Sequence, residues 1–189
     1  MISIILPSRQ EANIHWMMEE LERMYGHMGL QLITFNDHDS HGKGYAVRHA
    51  MLCVTGDLVC FMDADGDIHP KMLFRLLPFI ADYDIVVGVK PISGHWSRRL
   101  LTFFSRMYLA VAFGVKCDTQ TGIKLFRRDA IQPWYSDGWL FDLEILSMAM
   151  KRDLRMVEVP VDATPSKKMH FTSIWKTFRE SVTLWLELR

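Results

Sequence analysis

A chain of 189 residues that is 49% hydrophobic is long enough for one domain with a substantial core. Its 22 basic residues are matched by 22 acidic ones, so no global positive field favours nucleic acid as a partner. The three cysteines form an odd set without metal-ligand spacing. They argue against a disulfide framework and indicate a reducing compartment.

The first half of the chain alternates short apolar runs with patterns of helical spacing. Strands are predicted at residues 2–6, 30–35, 58–62 and 84–89. Helices are predicted between them at residues 11–25, 45–54 and 71–81. Pro70 suits the first position of the last of these helices. This alternation is typical of an α/β domain whose mostly parallel sheet is flanked by helices.

The second half is less regular. Strands are predicted at residues 122–127 and 154–159, and helices at residues 97–113, 140–151 and 171–188. The helix at 97–113 is apolar almost all round, so it lies in the core, in a homo-oligomer contact or against a membrane. No repeat or linker divides the chain. We therefore predict a single domain over residues 1–170 and a C-terminal amphipathic helix over residues 171–189.

The N-terminal segment lacks the basic region and long apolar run of a signal peptide. No window reaches the roughly 18 to 20 apolar residues that cross a bilayer. The expectation is a cytoplasmic protein, or one attached peripherally to the cytoplasmic face of a membrane. Aromatic and basic residues in the tail favour such an interfacial position, although the tail pattern also fits an ordinary helix packed on the domain.

Three carboxylates, Asp63, Asp65 and Asp67, directly follow the apolar run 58–62. Ligands of open parallel sheets bind at the carboxyl ends of the strands, and carboxylates so close together favour a bound cation. Oxygen ligands select Mg²⁺ or Mn²⁺. A helix–loop–helix calcium site is excluded, because its required Gly and Glu positions hold Ile68 and Phe74. The alternative is a solvated acidic turn.

The triplet Gly42-Lys43-Gly44 precedes a predicted helix. Glycines permit close backbone approach, a helix start favours anions, and Lys43 adds a positive charge. The triplet is also compatible with a plain turn. The eight histidines show no spacing of a common zinc site.

Six segments in chain order resemble glycosyltransferase family 2, and within it the dolichyl- or polyprenyl-phosphate glucose and mannose synthases. The segments are SIILPSRQEANI, GKGYAVRHAML, GDLVCFMDADGDIHP, DTQTGIKLFRRDAI, GWLFDLEIL and MVEVPVDATPSK. The resemblance covers most of the chain and implies a GT-A-like, Rossmann-like fold in a shortened form. It also implies a nucleotide-sugar donor, a lipid-phosphate acceptor at a membrane surface and a divalent metal.

The resemblance assigns roles to individual positions. Asp63 would face the ribose and diphosphate, Asp65 would hold the metal, and Asp67 would be a third metal ligand. The candidate catalytic residues are Asp65, Gln120, Asp142 and Glu144, of which Asp142 and Glu144 would face the sugar. The nucleotide pocket would be lined by Pro7, Ser8, Arg9 and Glu11, with Lys43 nearby. The sugar and acceptor pocket would involve Thr121 and Gly122, and phosphate would be held by Arg98, Arg99, Lys167 and Lys168.

One segment departs from the family pattern. Family members have a second strand that ends in DDGS, followed by some tens of residues before the GKG triplet. Here the strand runs through NDHDSH directly into the triplet. The aspartate that recognises the base is therefore absent, unless Asp37 or Asp39 replaces it.

The resemblance implies metal-dependent, inverting transfer of a hexose from UDP-glucose or GDP-mannose to a polyprenyl or dolichyl phosphate. If the acceptor is a hydroxyl, Asp142 or Glu144 becomes the candidate base. The alternatives are a glycosyltransferase with a saccharide or soluble acceptor and a non-catalytic nucleotide-sugar-binding module. A nucleotidyltransferase would carry a glycine-rich basic loop after its first strand, where this chain has LPSRQEAN.

Overall fold

The structure is a computed structural model that describes residues 1–8, 12–90, 96–119, 121–164 and 179–186. These residues form a six-stranded sheet in the order β2-β1-β3-β5-β4-β6. Its strands are β1 Ile2–Ser8, β2 Leu30–Asn36, β3 Leu58–Met62, β4 Ile85–Val89, β5 Ile123–Arg127 and β6 Met156–Pro160. Strand β5 runs antiparallel to both of its neighbours, and the other pairings are parallel. The predicted mostly parallel α/β architecture is confirmed.

Five α-helices are named along the described chain, and residues 179–186 are also helical. The helices are α1 Ile14–Tyr25, α2 Lys43–Met51, α3 Leu73–Leu76, α4 Trp96–Phe113 and α5 Phe141–Lys151. Short 3₁₀ turns cover Gly26–Met28, Pro70–Met72, Leu77–Ala81 and Arg128–Ala130. No helix in the described part of the chain combines the length and apolar character needed to cross a membrane.

The predicted continuous helix at 71–81 is wrong in detail. Only Leu73–Leu76 is α-helical, and 3₁₀ turns precede and follow it. Pro78, in the second turn, has no N–H to donate and its ring crowds the preceding turn, so a regular α-helix cannot continue through it. Pro70 does occupy the predicted initiating position, where His69 caps the turn.

The sheet has a hydrophobic core on each face. Along β3, Val59 and Phe61 point to one face while Cys60 and Met62 point to the other. Helices α2 and α5 cover the first face, and α1 and α3 cover the second. Because both faces are covered, the central strands are continuous apolar runs, which is why they were recognisable in the sequence.

The C-terminal helix is described over residues 179–186. Ser181 and Leu184 are buried, and the Ser181 hydroxyl lies 3.2 Å from the Tyr108 hydroxyl of α4. This segment therefore packs on the domain. The remainder of the predicted helix at 171–188 lies outside the described residues.

Candidate active site

The ends of all six described strands meet at one edge of the sheet. The carboxyl ends of β1, β2, β3, β4 and β6 lie there with the amino end of β5, because β5 alone is reversed. Ser8 closes β1, Asp37 follows β2, Asp63 follows β3, and Gly122 precedes β5. The topology thus brings four sequence-predicted positions together at the edge where open α/β sheets bind ligands.

Asp63 is fixed between a lysine and a glycine. Its Oδ1 lies 2.5 Å from Lys43 Nζ, and its N–H donates to the Gly122 carbonyl at 2.8 Å. A Cβ on Gly122 would lie 2.2 Å from Asp63 Oδ2, so any larger residue there would displace the carboxylate. Gly122 therefore sets the position of Asp63, and Lys43 balances its charge.

Lys43 lies in a pocket of carboxylates and aromatic rings, with its side chain only 14% exposed. Its Nζ is 5.8 Å from the Trp139 ring centroid and 5.5 Å from that of Phe141. Burial by itself would lower the pKa of Lys43. The negative charges of Asp63, Asp142 and Asp65 outweigh burial, so the pKa is raised and the side chain remains cationic.

The DADGD loop is held by one hydrogen bond within the loop and one from the Asn13 side chain. The Asp67 N–H donates to Asp65 Oδ1 at 3.0 Å, and the Asn13 amide donates to the Asp65 carbonyl at 2.6 Å. Burial raises the pKa of Asp65, and repulsion from Asp63 and Asp67 raises it further, while the Asp67 N–H and Lys90 oppose the rise. A cation arriving here would relieve that repulsion.

The loop does not form a cage of three protein carboxylates. Among the described residues, no three His, Cys, Asp or Glu side chains are arranged to hold a metal. Asp63 is paired with Lys43, and Asp65 accepts an N–H on one oxygen. Asp63, Asp65 and Asp67 stay the predicted metal ligands, and one or two of these carboxylates are enough for such an ion. That number fits Mg²⁺ or Mn²⁺ completed by substrate phosphates.

Asp142 belongs to a buried ion pair at the start of α5. Its Oδ2 is 3.2 Å from Lys124 Nζ, and both side chains are almost fully buried. Lys124 also donates to the Thr121 carbonyl at 2.7 Å. Burial raises the pKa of Asp142, and Lys124 and Lys43 oppose that rise. Lys124 was not among the sequence-predicted residues, although a lysine inside the apolar run of β5 was a visible signal.

Glu144 binds backbone N–H groups of the segment that precedes α5. Its Oε1 accepts the Tyr135 N–H and its Oε2 accepts the Ser136 N–H, both at 2.9 Å. The residue is buried. Glu144 therefore holds residues 135–136 against α5, and its role toward a sugar or as a base stays a prediction.

The glycines of the GKG triplet admit backbone from another loop. The Gly44 N–H donates to the Gly138 carbonyl at 3.2 Å, and the Tyr45 N–H donates to the Asp137 carbonyl at 3.1 Å. A Cβ on Gly42 would lie 2.1 Å from the Asp137 carbonyl oxygen. The expected anion-binding helix start is thus occupied by carbonyls, and Lys43 is the group of the triplet that reaches Asp63.

The sequence was also compared with models of known protein families. The model of the glycosyl transferase family 2 matches residues 18–134. The chain belongs to glycosyl transferase family 2.

Relatives of this family 2 chain extend well beyond it. It is 31% identical to the dolichyl-phosphate beta-glucosyltransferase of Saccharomyces cerevisiae, over 69% of this chain and 46% of the yeast protein. It is 27% identical to the undecaprenyl-phosphate mannosyltransferase of Micrococcus luteus, over 56% of this chain and 48% of that protein. The chain spans about half the length of the curated relatives it matches.

A solved structure shares the family 2 chain's fold. The glucosyl-3-phosphoglycerate synthase of Mycobacterium tuberculosis, in complex with Mn²⁺, UDP and phosphoglyceric acid, superposes with a TM-score of 0.77. The match covers 98% of this chain and 77% of that one at 16% sequence identity. At that identity the likeness establishes the GT-A-like fold.

The Asp37 carboxylate is hydrogen-bonded within its own loop. The Asp37 carboxylate accepts the His41 N–H at 3.0 Å and the Gly42 N–H at 2.8 Å, and it is buried. It therefore shapes the loop that leads to Lys43. Asp39 is exposed on the same loop.

The other predicted positions divide into two groups. Pro7 and Ser8 lie at the end of β1, where the Ser8 carbonyl accepts the Asp37 N–H at 3.1 Å. The Thr121 hydroxyl donates to Asp118 at 2.8 Å, and Arg98 and Arg99 lie near the start of α4. Outside the described residues lie Arg9, Glu11, Gln120, Lys167 and Lys168.

Proposed function

We propose that this family 2 domain transfers a hexose from a nucleotide sugar to the phosphate of a polyprenyl or dolichyl lipid, with inversion at the sugar carbon. The observation that carries the proposal is the Lys43–Asp63–Gly122 arrangement beside Asp65 at the ligand-binding edge of the sheet. The names of the dolichyl-phosphate glucosyltransferase and undecaprenyl-phosphate mannosyltransferase relatives support this class of acceptor.

The donor would be UDP-glucose or GDP-mannose. Lys43 would bind the diphosphate, since it remains cationic and already contacts a carboxylate next to the ribose position. Asp63 would orient the ribose and the diphosphate. The base would lie over the end of β1, with Pro7, Ser8, Arg9 and Glu11 as its proposed contacts. Gln120, Thr121 and Gly122 would line the sugar pocket.

Mg²⁺ or Mn²⁺ would be held by Asp65, with Asp63 or Asp67 and the donor diphosphate completing its shell. When bound, the metal would act as a Lewis acid that stabilises charge on the departing diphosphate. Asp65 suits this role because burial and the neighbouring carboxylates disfavour its bare negative charge.

The transfer requires positioning more than proton abstraction. A lipid phosphate is already an anion at neutral pH, so no strong base is needed to activate it. Asp142 is buried in its pair with Lys124, and Glu144 holds backbone N–H groups. The proposed contacts for acceptor or donor phosphate are Arg98, Arg99, Lys167 and Lys168. A single displacement then inverts the sugar carbon.

A lipid acceptor brings the protein to a membrane surface, which we propose is the cytoplasmic face. Helix α4 carries an exposed apolar stripe suited to that surface: Trp96, Phe103, Phe104, Met107 and Val111. These positions fall on one side of a helix with a period of 3.6 residues. The described tail residues 179–186 instead pack on the domain.

The test is transfer of labelled hexose from UDP-glucose or GDP-mannose to dolichyl phosphate with Mn²⁺. Asp65→Ala is expected to reduce transfer by about 10²-fold or more, because charge on the leaving diphosphate is no longer stabilised. Asp82→Ala, at an exposed carboxylate away from the site, should leave transfer unchanged.

Three results would contradict parts of the proposal. Equal turnover by Asp65→Ala and the parent would remove the metal role of Asp65. An α-linked product from an α-linked donor would exclude single displacement. Transfer only to a soluble acceptor, such as a saccharide or a phosphorylated acid, would overturn the lipid assignment.

A further inference from the structure

Trp139 is a large aromatic side chain held in solvent beside the charged centre of the site. It is 68% exposed, and its ring centroid lies 5.8 Å from Lys43 Nζ. Lys43 in turn contacts Asp63 at 2.5 Å. Exposing an indole forgoes the free energy of its burial. Its position next to the proposed diphosphate contact suggests a ligand-binding role.

The backbone that carries Trp139 is fixed on both sides. Glu144 accepts the N–H groups of Tyr135 and Ser136. The N–H groups of Gly44 and Tyr45 donate to the carbonyls of Gly138 and Asp137.

An ion pair and a buried side chain add to these bonds. The Arg48 guanidinium pairs with the Asp137 carboxylate and donates to the Tyr135 carbonyl at 3.2 Å. On the other side of Trp139, the buried Phe141 begins α5. The indole is therefore presented from preorganised backbone, which lowers the entropic cost of binding to it.

We propose that the Trp139 indole forms one wall of the donor-sugar subsite and packs against the C–H face of the hexose ring. The inference rests on the proposed function. In a nucleotide sugar the hexose is bonded directly to the diphosphate, whereas the base is separated from it by the ribose. An aromatic ring adjacent to Lys43 is therefore placed for a sugar ring and not for the base, and we assign it to the hexose because Asp63 is the proposed contact of the ribose. An aromatic wall supplies apolar contact, and polar groups around the site fix the orientation of the sugar.

The same loop offers a matched control. Tyr135 is also aromatic and is 86% exposed. Its backbone is bound by Glu144 and Arg48, whereas the rings found beside Lys43 among the described residues are those of Trp139 and Phe141. Replacing Tyr135 removes a similar exposed ring from the same segment. Trp139→Phe keeps an aromatic face and tests whether stacking, and not the indole N–H, is responsible.

The experiment is titration calorimetry of the full chain with Mn²⁺. The ligands are whichever of UDP-glucose and GDP-mannose the parent binds, and the corresponding nucleoside diphosphate. Trp139→Ala should weaken nucleotide-sugar binding by about threefold to tenfold, the usual range for an aromatic contact. Nucleoside diphosphate binding should stay within about twofold, since that ligand has no hexose. Trp139→Phe should retain most of the parent's affinity for the nucleotide sugar. Tyr135→Ala should bind both ligands with the affinity of the parent.

Two outcomes would overturn the inference alone. If Trp139→Ala weakens both ligands equally, the ring contacts the nucleotide and not the hexose. If it weakens neither, the ring is outside the subsite. A parent that binds no nucleotide sugar would instead overturn the proposed function and this inference together. Circular dichroism should show unchanged folding of Trp139→Ala, because the side chain is largely exposed.

Discussion

Lys43 is in contact with Asp63 and within electrostatic reach of Asp65 and Asp142. It offsets negative charge that would otherwise repel a diphosphate. Lys43→Met should weaken nucleoside diphosphate binding by about tenfold to a hundredfold, because one charge-assisted contact is lost and Asp63 is left without its partner. Calorimetry of nucleoside diphosphate binding measures the effect.

The control for Lys43 is Lys71→Met, at an exposed lysine in the turn before α3. This variant should bind nucleoside diphosphate like the parent. Unchanged affinity of Lys43→Met would show that the ammonium group does not contact the diphosphate.

Lys124 and Asp142 form a pair whose contribution to stability depends on pH. Lys124→Met leaves Asp142 buried without its lysine, which should cost roughly 3–5 kcal/mol of unfolding free energy near pH 8. Burial raises the pKa of Asp142, and Lys124 opposes the rise. In Lys124→Met the pKa of Asp142 should therefore be still higher. The folded state then binds a proton more readily than the unfolded state, and stability increases as pH falls through that pKa.

The stability deficit of Lys124→Met should therefore be smaller at pH 5 than at pH 8. Urea unfolding at the two pH values measures it. The double variant Lys124→Met, Asp142→Leu should recover stability at pH 8, since no unpaired buried carboxylate remains. Equal deficits at both pH values would mean that the charge of Asp142 is not the cause.

Acidic residues show where prediction from sequence ends. The position of Asp63 and Asp65 after an apolar run was sufficient to place them at the sheet edge. Glu144 has a similar setting in the sequence, yet its oxygens accept the N–H groups of Tyr135 and Ser136. The orientation of the Glu144 carboxylate depends on the position of residues 135–136 in the folded chain. The spacing of residues along the sequence does not reveal that position.

At the scale of elements, the start of α2 and the loop at residues 136–138 form one unit. A Cβ on Gly44 would lie 2.2 Å from the Ser136 carbonyl oxygen and 2.8 Å from Phe141 Cβ. Gly44→Ala should therefore force the loop away from α2 and cost about 1–3 kcal/mol. Urea unfolding measures the loss.

Gly138→Ala is the matched control for Gly44, because a Cβ there meets no atom within 4 Å. This variant should stay within about 0.5 kcal/mol of the parent. If Gly44→Ala is equally stable, the loop can move without cost, and the rigid presentation of Trp139 would lose its basis.

Strand β5 and the interrupted helix around α3 mark the limits of prediction for elements. The strand was located from its apolar run, but its antiparallel direction depends on how the chain returns to the sheet between β3 and β4. Around α3, Pro78 was visible in the sequence, and its missing N–H accounts for the observed break. The hydrophobic pattern of the sequence located both elements. The direction of β5 and the change from α-helix to 3₁₀ turns around α3 could be assigned only from the folded structure.

At the scale of the molecule, both faces of the sheet are covered and one edge carries the site. Helix α4 exposes several large apolar side chains, among them Phe103, Met107 and Val111. It follows β4, whose end lies at the site edge, where Lys90 is 4.0 Å from Asp67. We propose that a bilayer rests on this stripe and that the lipid phosphate reaches the site from that surface.

Vesicle flotation with phosphatidylglycerol-containing liposomes tests that arrangement. Phe103→Ser combined with Met107→Ser should reduce binding by about tenfold, because two apolar side chains no longer enter the interface. Leu52→Ser, at an 83% exposed leucine after α2, should float like the parent. If the double variant also floats like the parent, α4 does not contact the bilayer. If it instead abolishes a concentration-dependent dimer in sedimentation, the stripe joins two copies of the chain, and the lipid must reach Lys43 and Asp63 by another approach.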